Sequence, residues 1–545
     1  MSAFPNQLQA LLRPQAYPHP VGAVELIETH ISWVLLTGEF AYKIKRPVRY
    51  PFVDLRSSER RAFLCHEEVR LNRRFAPELY LDVWPIALQA GEACLGGEGA
   101  VIEHAVRMRQ FAREDELDRL LAAGRIEPAA LESFGSELAR IHARLPAAEP
   151  AQLWGRPDAL QALILDNAEQ CARSGDALGE GVAVRALQAP LATTLERTAQ
   201  RLSERFASGR VRECHGDLHA RNIVCFEGRL RAFDCLEFEP ALRWLDLADE
   251  IAFLLADLEA RQRPLHAWAF LNGYLGESGD YEACALLPLF KAHRALVRAK
   301  VAALVALQAG AANASGAEAQ EPDASNARST DTQREYRAYV ECARRSLECT
   351  RPTLVLMSGL SGSGKTWLAG HLAPRLRAVH LRSDIERKRM AGLPTSARAD
   401  AVVAEALYMR KITAAVYARL EQSAADILAA GYGAIVDATF ARRADRSRFR
   451  ELAVRLGVRL CMVHCQASQE VLQARILERG RRGDDASDAG LSVLAWQQRH
   501  FEPVEPQEGF RLFDIVTTEA GAVERLVGQI AAAAAGPPND VQQDG

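Results

Sequence analysis

The segment Gly359-Leu-Ser-Gly-Ser-Gly-Lys-Thr366 constrains this chain more than any other, because it directly follows the apolar run Thr353–Met357. The apolar run predicts a buried strand, and the residues from Trp367 onward predict a helix. Glycines at this spacing let backbone N–H groups turn inward, and the N-terminus of the following helix favours an anion. A strand, a glycine-rich turn and a helix in this order predict a phosphate cradle, the P-loop or Walker A motif.

This cradle predicts the binding of ATP together with Mg²⁺. The lysine of the motif, here Lys365, reaches the β- and γ-phosphates, and the hydroxyl group of Thr366 is offered to the metal. A chance Gly-Lys-Thr sequence in a loop is the alternative, but the flanking strand and helix patterns are both present. The residues predicted to bind the nucleotide here are Gly359, Ser361, Gly362, Ser363, Gly364, Lys365 and Thr366.

Length and composition set the outer bounds. A chain of 545 residues is too long for one core, and such a length predicts about three to four compact units. The net charge of −3 gives no global field that would favour nucleic acid or an anionic membrane as a partner. The 11 cysteines include no C-x-x-C pair, which favours reduced thiols. Because no long apolar segment or signal-peptide pattern is present, we expect a cytoplasmic protein without a membrane partner.

A polar stretch divides the chain. From Gln308 to about Thr332 there is almost no large apolar residue, so this stretch buries too little surface to offset its ordering entropy. Apolar residues at helical spacing return after it and predict a helix that packs back on the first domain. We therefore expect a first domain at 1–307, a flexible linker at 308–333, a helix at 334–350, a second domain at 351–535 and a disordered tail at 536–545.

The two predicted domains differ in their pattern of secondary structure. The first begins with three short strands and a helix at Ser58–Arg74, and long helices dominate it from about Leu131. This pattern predicts an α+β fold with a small β-rich lobe and a helical lobe. The second alternates strand and helix, which predicts an α/β fold with a parallel sheet. The predicted strands are Ala23–Glu28, Trp33–Leu36 and Phe40–Lys45 in the first domain, and Thr353–Ser358, Arg377–Leu381, Gly433–Asp437, Arg459–Cys465 and Phe513–Thr517 in the second.

The first domain carries its own cluster of polar residues, His215-Gly-Asp-Leu-His-Ala-Arg-Asn222, just before an apolar strand. A second apolar strand then ends at Asp234. Phosphoryl transfer to an alcohol needs a carboxylate that orients the hydroxyl group and accepts its proton, and Asp217 fits this role. Oxygen ligands must also hold Mg²⁺ on the phosphates, and Asn222 and Asp234 fit that role. A hairpin with ordinary turn residues is the alternative.

These residues resemble the aminoglycoside/choline phosphotransferase branch of the protein-kinase-like fold, whose catalytic loop reads His-Gly-Asp-x-x-x-x-Asn. The resemblance spans about residues 20–305 and is specific at 215–238. It implies that a strand lysine grips the α- and β-phosphates and pairs with a helix glutamate. The lysine is Lys43, with Lys45 as the alternative, and the glutamate is Glu68, with Glu67 as the alternative.

The P-loop domain places two further carboxylates at predicted strand ends. Asp384 follows the second strand, where an α/β sheet faces its ligand crevice, so it is predicted to orient an acceptor hydroxyl group. A helix N-cap formed by Ser383 or Asp384 is the alternative. Asp437 ends the third strand and is predicted to hold the water shell of Mg²⁺ as a Walker-B-type residue. An ordinary turn carboxylate is the alternative there.

Two arginines follow the fourth strand of this domain. Arg475 and Arg479 are four residues apart, hence on one helix face, and a guanidinium group suits the clamping of a transferring phosphoryl group. A solvated basic face is the alternative. The arrangement resembles the gluconate-kinase, polynucleotide-kinase and zeta-toxin group of P-loop kinases over about residues 352–520.

The chain as a whole resembles the fused bifunctional aminoglycoside phosphotransferase/ATP-binding proteins. This implies an ATP-dependent phosphotransferase with two ATP sites, each transferring the γ-phosphoryl group to a small-molecule alcohol such as a sugar or amino alcohol. In one alternative, one domain only senses ATP; in another, the second domain phosphorylates a sugar nucleotide or a polynucleotide end. Few aromatic residues accompany the basic segments of the second domain, which disfavours nucleic acid. No motif of the chain specifies the acceptors or the oligomeric state.

Overall fold

The computed structural model describes residues 4–50, 53–149, 151, 154–314, 322–348, 350–395, 410–482, 486–487, 489–519 and 521–535. The chain divides into two compact units, and both are discontinuous in sequence. The first contains Met1–Ala130, Ile141–Leu163 and Ala199–Leu254; the second contains Leu131–Arg140, Ile164–Thr198 and Leu255–Gly545. This division falls within the predicted first domain and not at the predicted linker.

The first unit holds the strands β1 (Glu25–Glu28), β2 (Ser32–Leu36), β3 (Phe40–Lys45), β4 (Arg49–Tyr50), β5 (Val53–Asp54), β6 (Tyr80–Gln89), β7 (Glu92–Leu95), β8 (Ala100–Arg109), β9 (Val211–Glu213), β10 (Ile223–Phe226), β11 (Arg229–Ala232) and β12 (Trp244–Asp246). Six of them form an antiparallel sheet with the order β1-β2-β3-β8-β6-β7. The others form three antiparallel pairs, β4-β5, β9-β12 and β10-β11.

Helix α1 (Ser58–Asn72) packs on the six-stranded sheet. The Ser57 hydroxyl caps its N-terminus by accepting a hydrogen bond from the Arg60 N–H. Cys65 and Val69 pack with apolar side chains of β3 and β8, so this face of the helix is buried. Glu68 lies on the same face and is fully buried. The amphipathic spacing of α1 therefore carries one carboxylate into the interior of the unit.

Further helices follow along the chain. They are α2 (Leu117–Ala122), α3 (Pro128–His142), α4 (Pro157–Asp176), α5 (Gly181–Ala207), α6 (Leu247–Ala260), α7 (Pro264–Ser278), α8 (Leu287–Ala314) and α9 (Pro322–Ser346). Among the helices in the described part of the chain, none combines the length and the apolarity needed to cross a membrane.

The expected irregular linker at 308–333 is helical wherever the structure describes it, because α8 extends to Ala314 and α9 begins at Pro322. Only its residues 315–321 lie outside the described chain, as does the predicted tail at 536–545. The buried Tyr339 of α9 donates a hydrogen bond from its hydroxyl group to the Asp257 carboxylate of α6. Helix α8 thus continues through alanine-rich sequence at its C-terminal end, and α9 begins within the expected linker. The domain limits themselves stay a prediction.

The second unit contains a five-stranded parallel sheet. Its strands are β13 (Thr353–Ser358), β14 (Ala378–Arg382), β15 (Gly433–Asp437), β16 (Arg459–Gln466) and β17 (Arg511–Val516), and their order is β14-β15-β13-β16-β17. The helices that alternate with them are α10 (Lys365–Leu376), α11 (Ser383–Met390), α12 (Arg410–Ala429), α13 (Arg443–Leu456), α14 (Gln469–Arg482), α15 (Leu491–His500) and α16 (Ala522–Ala535). The predicted α/β fold with a parallel sheet is confirmed here.

The position of α7 accounts for the division into units, because this helix packs on α10 and β14 of the second unit. The ring of Trp268 in α7 meets that of Tyr432 edge to face, with centroids 5.5 Å apart. The Tyr281 hydroxyl group lies 3.1 Å from the buried Glu386 carboxylate of α11. Residues of the predicted first domain therefore belong to the core of the second unit.

The strands β6 to β8 are absent from the sequence prediction. Pro85 lies within β6, and proline ordinarily argues against a central strand because it lacks a hydrogen-bond donor. The structure accommodates it beside a register shift between Ile86 and Ala87. In β8 the buried Glu103 breaks the apolar pattern and pairs with Arg61, with oxygen and nitrogen 2.6 Å apart. A bulge and a buried ion pair hide the strand periodicity of this hairpin.

Candidate active sites

The segment that follows β9 brings Asp217 and Asn222 together. The Asn222 amide nitrogen Nδ2 donates to Asp217 Oδ2 at 2.9 Å and to the Asp217 carbonyl at 3.0 Å. Both bonds use Nδ2, so Asp217 does not engage the amide oxygen of Asn222. The Phe233 N–H donates to the Asn222 carbonyl at 2.9 Å, and this bond brings Asp234, the next residue in the chain, close to the pair. The three residues predicted to serve proton transfer and metal binding thus form one cluster.

His215 fixes the backbone on both sides of this cluster. Its Nδ1 accepts a hydrogen bond from the Asp217 N–H at 3.3 Å, and its Nε2 lies 2.9 Å from the Phe233 carbonyl. Burial lowers the pKa of His215 to about 4, so the ring is neutral near pH 7. A neutral imidazole has one acceptor and one donor, which is the combination that these two bonds require. The Glu250 carboxylate accepts the N–H groups of His215 and Gly216 at 2.8 and 3.1 Å.

Asp234 has a left-handed backbone with φ of 64°. A non-glycine residue rarely adopts this conformation without support from its surroundings. Its N–H donates to the Tyr80 hydroxyl group at 3.0 Å, and its carboxylate lies 2.5 Å from Lys43 Nζ. These two contacts hold the carboxylate toward β3.

The structure shows which of the two candidate glutamates contacts the two candidate lysines. Glu68 contacts both lysines, with Oε1 2.8 Å from Lys43 Nζ and Oε2 2.7 Å from Lys45 Nζ. Glu67 instead pairs with Arg70 at 2.8 Å. Lys45 also meets Glu237 at 2.5 Å, a partner that no sequence pattern indicated. Lys43 contacts Asp234 as well as Glu68, so it is the lysine next to the predicted metal ligands.

The electrostatics of this lysine–carboxylate network are dominated by burial and by mutual attraction. Burial alone would raise the pKa of Glu68, but the ammonium groups of Lys43 and Lys45 outweigh it and lower the pKa. Burial would lower the pKa of Lys43, and the Asp234 and Glu68 carboxylates instead raise it well above its usual value. The lysines and Glu68 are therefore charged, and each ion depends on its neighbours.

The P-loop has the conformation that its glycines permit. Gly359, Gly362 and Gly364 have φ values of 135°, 84° and 90°. A Cβ atom on Gly362 would lie 2.7 Å from the Leu472 carbonyl oxygen, so both the backbone angle and the available space require glycine. The Lys365 Nζ donates to the Leu360 carbonyl at 2.8 Å, across the loop. The buried hydroxyl group of Ser363 has no partner among the described residues.

Asp437 lies at the C-terminal end of β15, next to the P-loop. His380 Nε2 lies 3.4 Å from its Oδ2, and the Thr366 side chain is near enough to affect its ionisation. Burial alone would raise the pKa of Asp437, but His380, Lys365 and Thr366 together lower it to about 2. An ionised carboxylate and a threonine hydroxyl group thus meet at the start of α10.

The remaining predicted residues, Lys365, Asp384, Arg475 and Arg479, differ in what they contact. Burial lowers the pKa of Lys365, and the charges of Asp437 and Asp384 act in the opposite direction. Arg475 Nη1 donates to the Gly362 carbonyl at 3.2 Å and therefore contacts the P-loop itself. Arg479 Nη2 donates to the Ala489 carbonyl at 2.7 Å, so its clamping role stays a prediction.

Both sites fit ATP and Mg²⁺ by the chemistry of their donors. A hard divalent cation prefers carboxylate, amide and hydroxyl oxygens. Asp217, Asn222 and Asp234 offer such atoms in the first site, and Thr366 and Asp437 offer them in the second. The orphaned Ser363 hydroxyl group and the inward-turned glycine backbone suit phosphate oxygens.

Several contacting residues were not indicated by the sequence. Thr517 donates its hydroxyl hydrogen to the Ser363 carbonyl at 2.8 Å, and Gln497 accepts the Ser361 N–H at 2.8 Å. Glu237 contacts Lys45 in the first site, and His380 contacts Asp437 in the second. Thr517 and Gln497 reach the P-loop from distant positions in the sequence, so no local pattern indicates them. Only the position of Glu237, three residues after Asp234, was a signal that could have been used.

Comparisons with known proteins agree with this division of chemistry. Residues 52–287 match the family described as "Phosphotransferase enzyme family", and residues 354–504 match the one described as "AAA domain". Uncharacterized proteins of Mycobacterium bovis and Mycobacterium tuberculosis are each 29% identical over 514 residues, covering 94% of this chain and 96% of theirs.

Solved structures are similar to about a third of the chain. A gluconokinase from Sinorhizobium meliloti 1021 has 21% identity and a TM-score of 0.26, and the match covers 34% of this chain and 95% of that one. The APS kinase CysC of Mycobacterium tuberculosis has 18% identity and a TM-score of 0.24, with 34% and 99% covered. At such TM-scores these structures have no bearing on the substrate.

The chain thus combines a domain of the phosphotransferase enzyme family with a P-loop kinase domain. Domains of these two kinds support a phosphotransferase activity. Families of both kinds generally use ATP together with Mg²⁺.

Proposed function

We propose that this protein has two separate sites for ATP and Mg²⁺, and that each transfers the γ-phosphoryl group to a hydroxyl group of a small molecule. The acceptor class is a sugar or an amino alcohol. The observation that supports the proposal is that each compact unit contains its own group of a lysine and nearby carboxylates with the chemistry that phosphates and Mg²⁺ need. One consists of Lys43, Asp217 and Asp234, and the other of Lys365 and Asp437.

In the first site, Asp217 orients the acceptor hydroxyl group and takes up its proton as the new P–O bond forms. Asn222 holds the Asp217 carboxylate in place through Nδ2. Asn222 Oδ1 and the Asp234 carboxylate provide the metal-binding oxygens, and Mg²⁺ neutralises charge on the phosphates when it is bound. Lys43 contacts the α- and β-phosphates while Glu68 keeps its ammonium group in position.

In the second site, the P-loop backbone and Lys365 hold the β- and γ-phosphates. Thr366 and Asp437 provide the metal site, and Asp384 orients the acceptor hydroxyl group near Lys365. Arg475, which contacts the P-loop, stabilises the charge of the transferring group. Both sites work by positioning and charge neutralisation, and neither requires a covalent intermediate on the protein.

The test measures ADP release by the full chain with a panel of sugars, amino alcohols and nucleosides. Lys43→Ala and Lys365→Ala are compared with the unchanged protein and with the double variant. We expect each single variant to lose turnover with a different part of the panel, and the double variant to be inactive. Turnover that survives in the double variant would contradict the proposal.

Two other outcomes point to different functions. If one site binds ATP but yields no ADP with any acceptor, that site is a sensor and the two-site proposal fails. If nucleosides or oligonucleotide ends are the acceptors that depend on Lys365, the second site phosphorylates nucleic-acid components and the small-alcohol class is wrong for it.

A further inference from the structure

The Asn272 side chain of α7 forms hydrogen bonds with the edge strand of the parallel sheet. Strand β14 is the last strand on this side of the sheet. The Asn272 side chain donates from Nδ2 to the Ala378 carbonyl at 3.1 Å, and its Oδ1 accepts the His380 N–H at 2.8 Å. Nδ2 also donates to the Trp268 carbonyl of its own helix at 2.9 Å. One amide group therefore makes the two bonds that a neighbouring strand would make, and it is fixed on α7.

This contact crosses the boundary between the two family matches. Asn272 lies within residues 52–287, and β14 lies within residues 354–504. The surrounding packing is substantial, because Trp268 meets Tyr432 and Tyr281 meets Glu386 in the same region. The side chain of Asn272 is thus held rigidly against the sheet edge.

The same strand residue reaches the P-loop site. His380 is bonded through its backbone to Asn272, and its ring Nε2 lies 3.4 Å from Asp437 Oδ2. Its side chain is only 10% exposed. The Thr366 side chain, next to the P-loop lysine in sequence, also helps to lower the pKa of Asp437. Two consecutive contacts therefore connect Asn272 to His380 and His380 to Asp437.

We propose that His380 and Asn272 are positioning residues of the P-loop site: His380 orients the Asp437 carboxylate for the metal, and Asn272 of the phosphotransferase-family domain holds His380 in place. The inference rests on the proposed function of that site. Groups that orient a metal-binding side chain typically change metal affinity by one to two orders of magnitude when they are removed. The P-loop half therefore depends on a residue from the other half of the chain.

The test measures binding and not turnover, in the full chain with Lys43→Ala as background to weaken nucleotide binding at the first site. A fluorescent, non-hydrolysable ATP analogue is titrated with MgCl2, and the Mg²⁺ concentration at half-saturation is recorded. We expect His380→Ala to raise this concentration by about 10-fold. Asn272→Ala acts one contact further away and should raise it by about 5-fold.

Two conservative changes separate positioning from folding. His380→Gln keeps a donor that can reach Asp437 and should recover most of the Mg²⁺ response. Asn272→Asp keeps the acceptor for the His380 N–H but sets a carboxylate against the Ala378 carbonyl, so it should be at least as harmful as Asn272→Ala. Glu282→Ala changes an exposed side chain in the same region and should leave the response unchanged.

The binding measurements distinguish failure of this inference from failure of the proposed function. If Lys365→Ala still binds the analogue in this background, the proposed function of the site is wrong. If Lys365→Ala abolishes binding while His380→Ala and Asn272→Ala keep the original Mg²⁺ response, the inference is overturned. The inference is also overturned if both variants lose analogue binding equally with and without Mg²⁺. It is overturned as well if both unfold at lower urea concentrations than the conservative and control variants, since either result indicates a merely structural role.

Discussion

The two candidate sites hold their lysines in opposite ways. In the first site, Lys43 contacts the carboxylates of Glu68 and Asp234, and Lys45 contacts those of Glu68 and Glu237, so the two lysines share Glu68. In the P-loop site, Lys365 donates to a backbone carbonyl. Ion pairs buried in protein are stable only as complete sets, whereas a glycine-rich backbone is shaped by its own conformational preferences. The comparison teaches that the first site is also part of the fold's stability, while the second is a loop shaped for its ligand.

The largest expected effect concerns chemistry in the first site alone. Asp217→Asn removes the group that accepts the acceptor proton, which should lower the rate of the reaction assigned to this site by about 10²- to 10⁴-fold. Analogue binding should remain close to normal, because Lys43 and Asp234 are untouched. Steady-state turnover and equilibrium binding check this together. Loss of binding in step with loss of rate would assign Asp217 a structural role.

Substitutions of one lysine in each site test whether the two sites differ in their contribution to stability. Lys45→Met leaves the buried Glu68 and Glu237 carboxylates short of a cation, which should cost about 3–5 kcal/mol of the free energy of unfolding. Lys365→Met removes an amine whose pKa burial already lowers, so stability should change by less than about 1 kcal/mol. Urea unfolding measures both. Equal costs for the two variants would contradict the contrast between the sites.

A matched substitution on α1 sharpens this result. Glu67→Gln changes the residue next to Glu68 in sequence. The Glu67 carboxylate pairs with the half-exposed Arg70. Partly exposed pairs contribute about 0–1 kcal/mol, so this change should be small. A loss as large as that of Lys45→Met would mean that the buried network is not special.

The two units should also differ in their response to acid. Burial lowers the pKa of His215 to about 4, from about 6.5 in an unfolded chain. The unfolded state therefore binds more protons between these values, so stability present above pH 6.5 is lost as pH falls toward 4. This contribution is about 3 kcal/mol. Hydrogen exchange near Asp217, corrected for its intrinsic pH dependence, measures it.

The P-loop site should respond to acid only at lower pH. The pKa of Asp437 is lowered to about 2 from an ordinary value of 3.8. Its contribution, about 2 kcal/mol, is present above pH 3.8 and is lost as pH falls through 2. Hydrogen exchange around Gly359–Thr366 should therefore stay slow at pH 5, where protection near His215 is already falling. Simultaneous loss in both regions would contradict the assignment.

Two glycines of the P-loop region should respond to substitution in opposite directions. Gly362→Ala places a Cβ atom 2.7 Å from the Leu472 carbonyl at a positive φ, which should cost about 2 kcal/mol. Gly370→Ala, within α10, meets nothing within 4 Å and should stabilise the protein by about 0.5–1 kcal/mol. Thermal unfolding distinguishes a gain from a loss, and a loss in both would show that α10 lacks the space described.

Sequence patterns predicted the parts of this molecule that depend on local order. The strands at Phe40–Lys45, Thr353–Ser358 and Gly433–Asp437 have the predicted bounds. Their apolar runs and the flanking turns are local signals. The P-loop glycines and the clustering of Asp217 with Asn222 follow from spacing in the same way.

The rest depends on contacts between distant segments, which no local pattern contains. Glu237 contacts Lys45, and Asn272 contacts the edge of β14, only because the tertiary fold brings these residues together. The bulged strand β6 was missed for the same reason, because tertiary packing stabilises it despite Pro85. The helical continuation of α8 into the expected linker was missed for a different reason, since the composition argument did not use the high helix propensity of alanine.

The most direct test of the central claim is the number of nucleotides bound per chain. Calorimetric titration of the full protein with a non-hydrolysable ATP analogue and Mg²⁺ should give two per chain. Lys365→Ala and Asp234→Asn should each reduce the number to one, and the combined variant should bind none. A single binding event in the unchanged protein, abolished by either substitution alone, would contradict the existence of two independent sites.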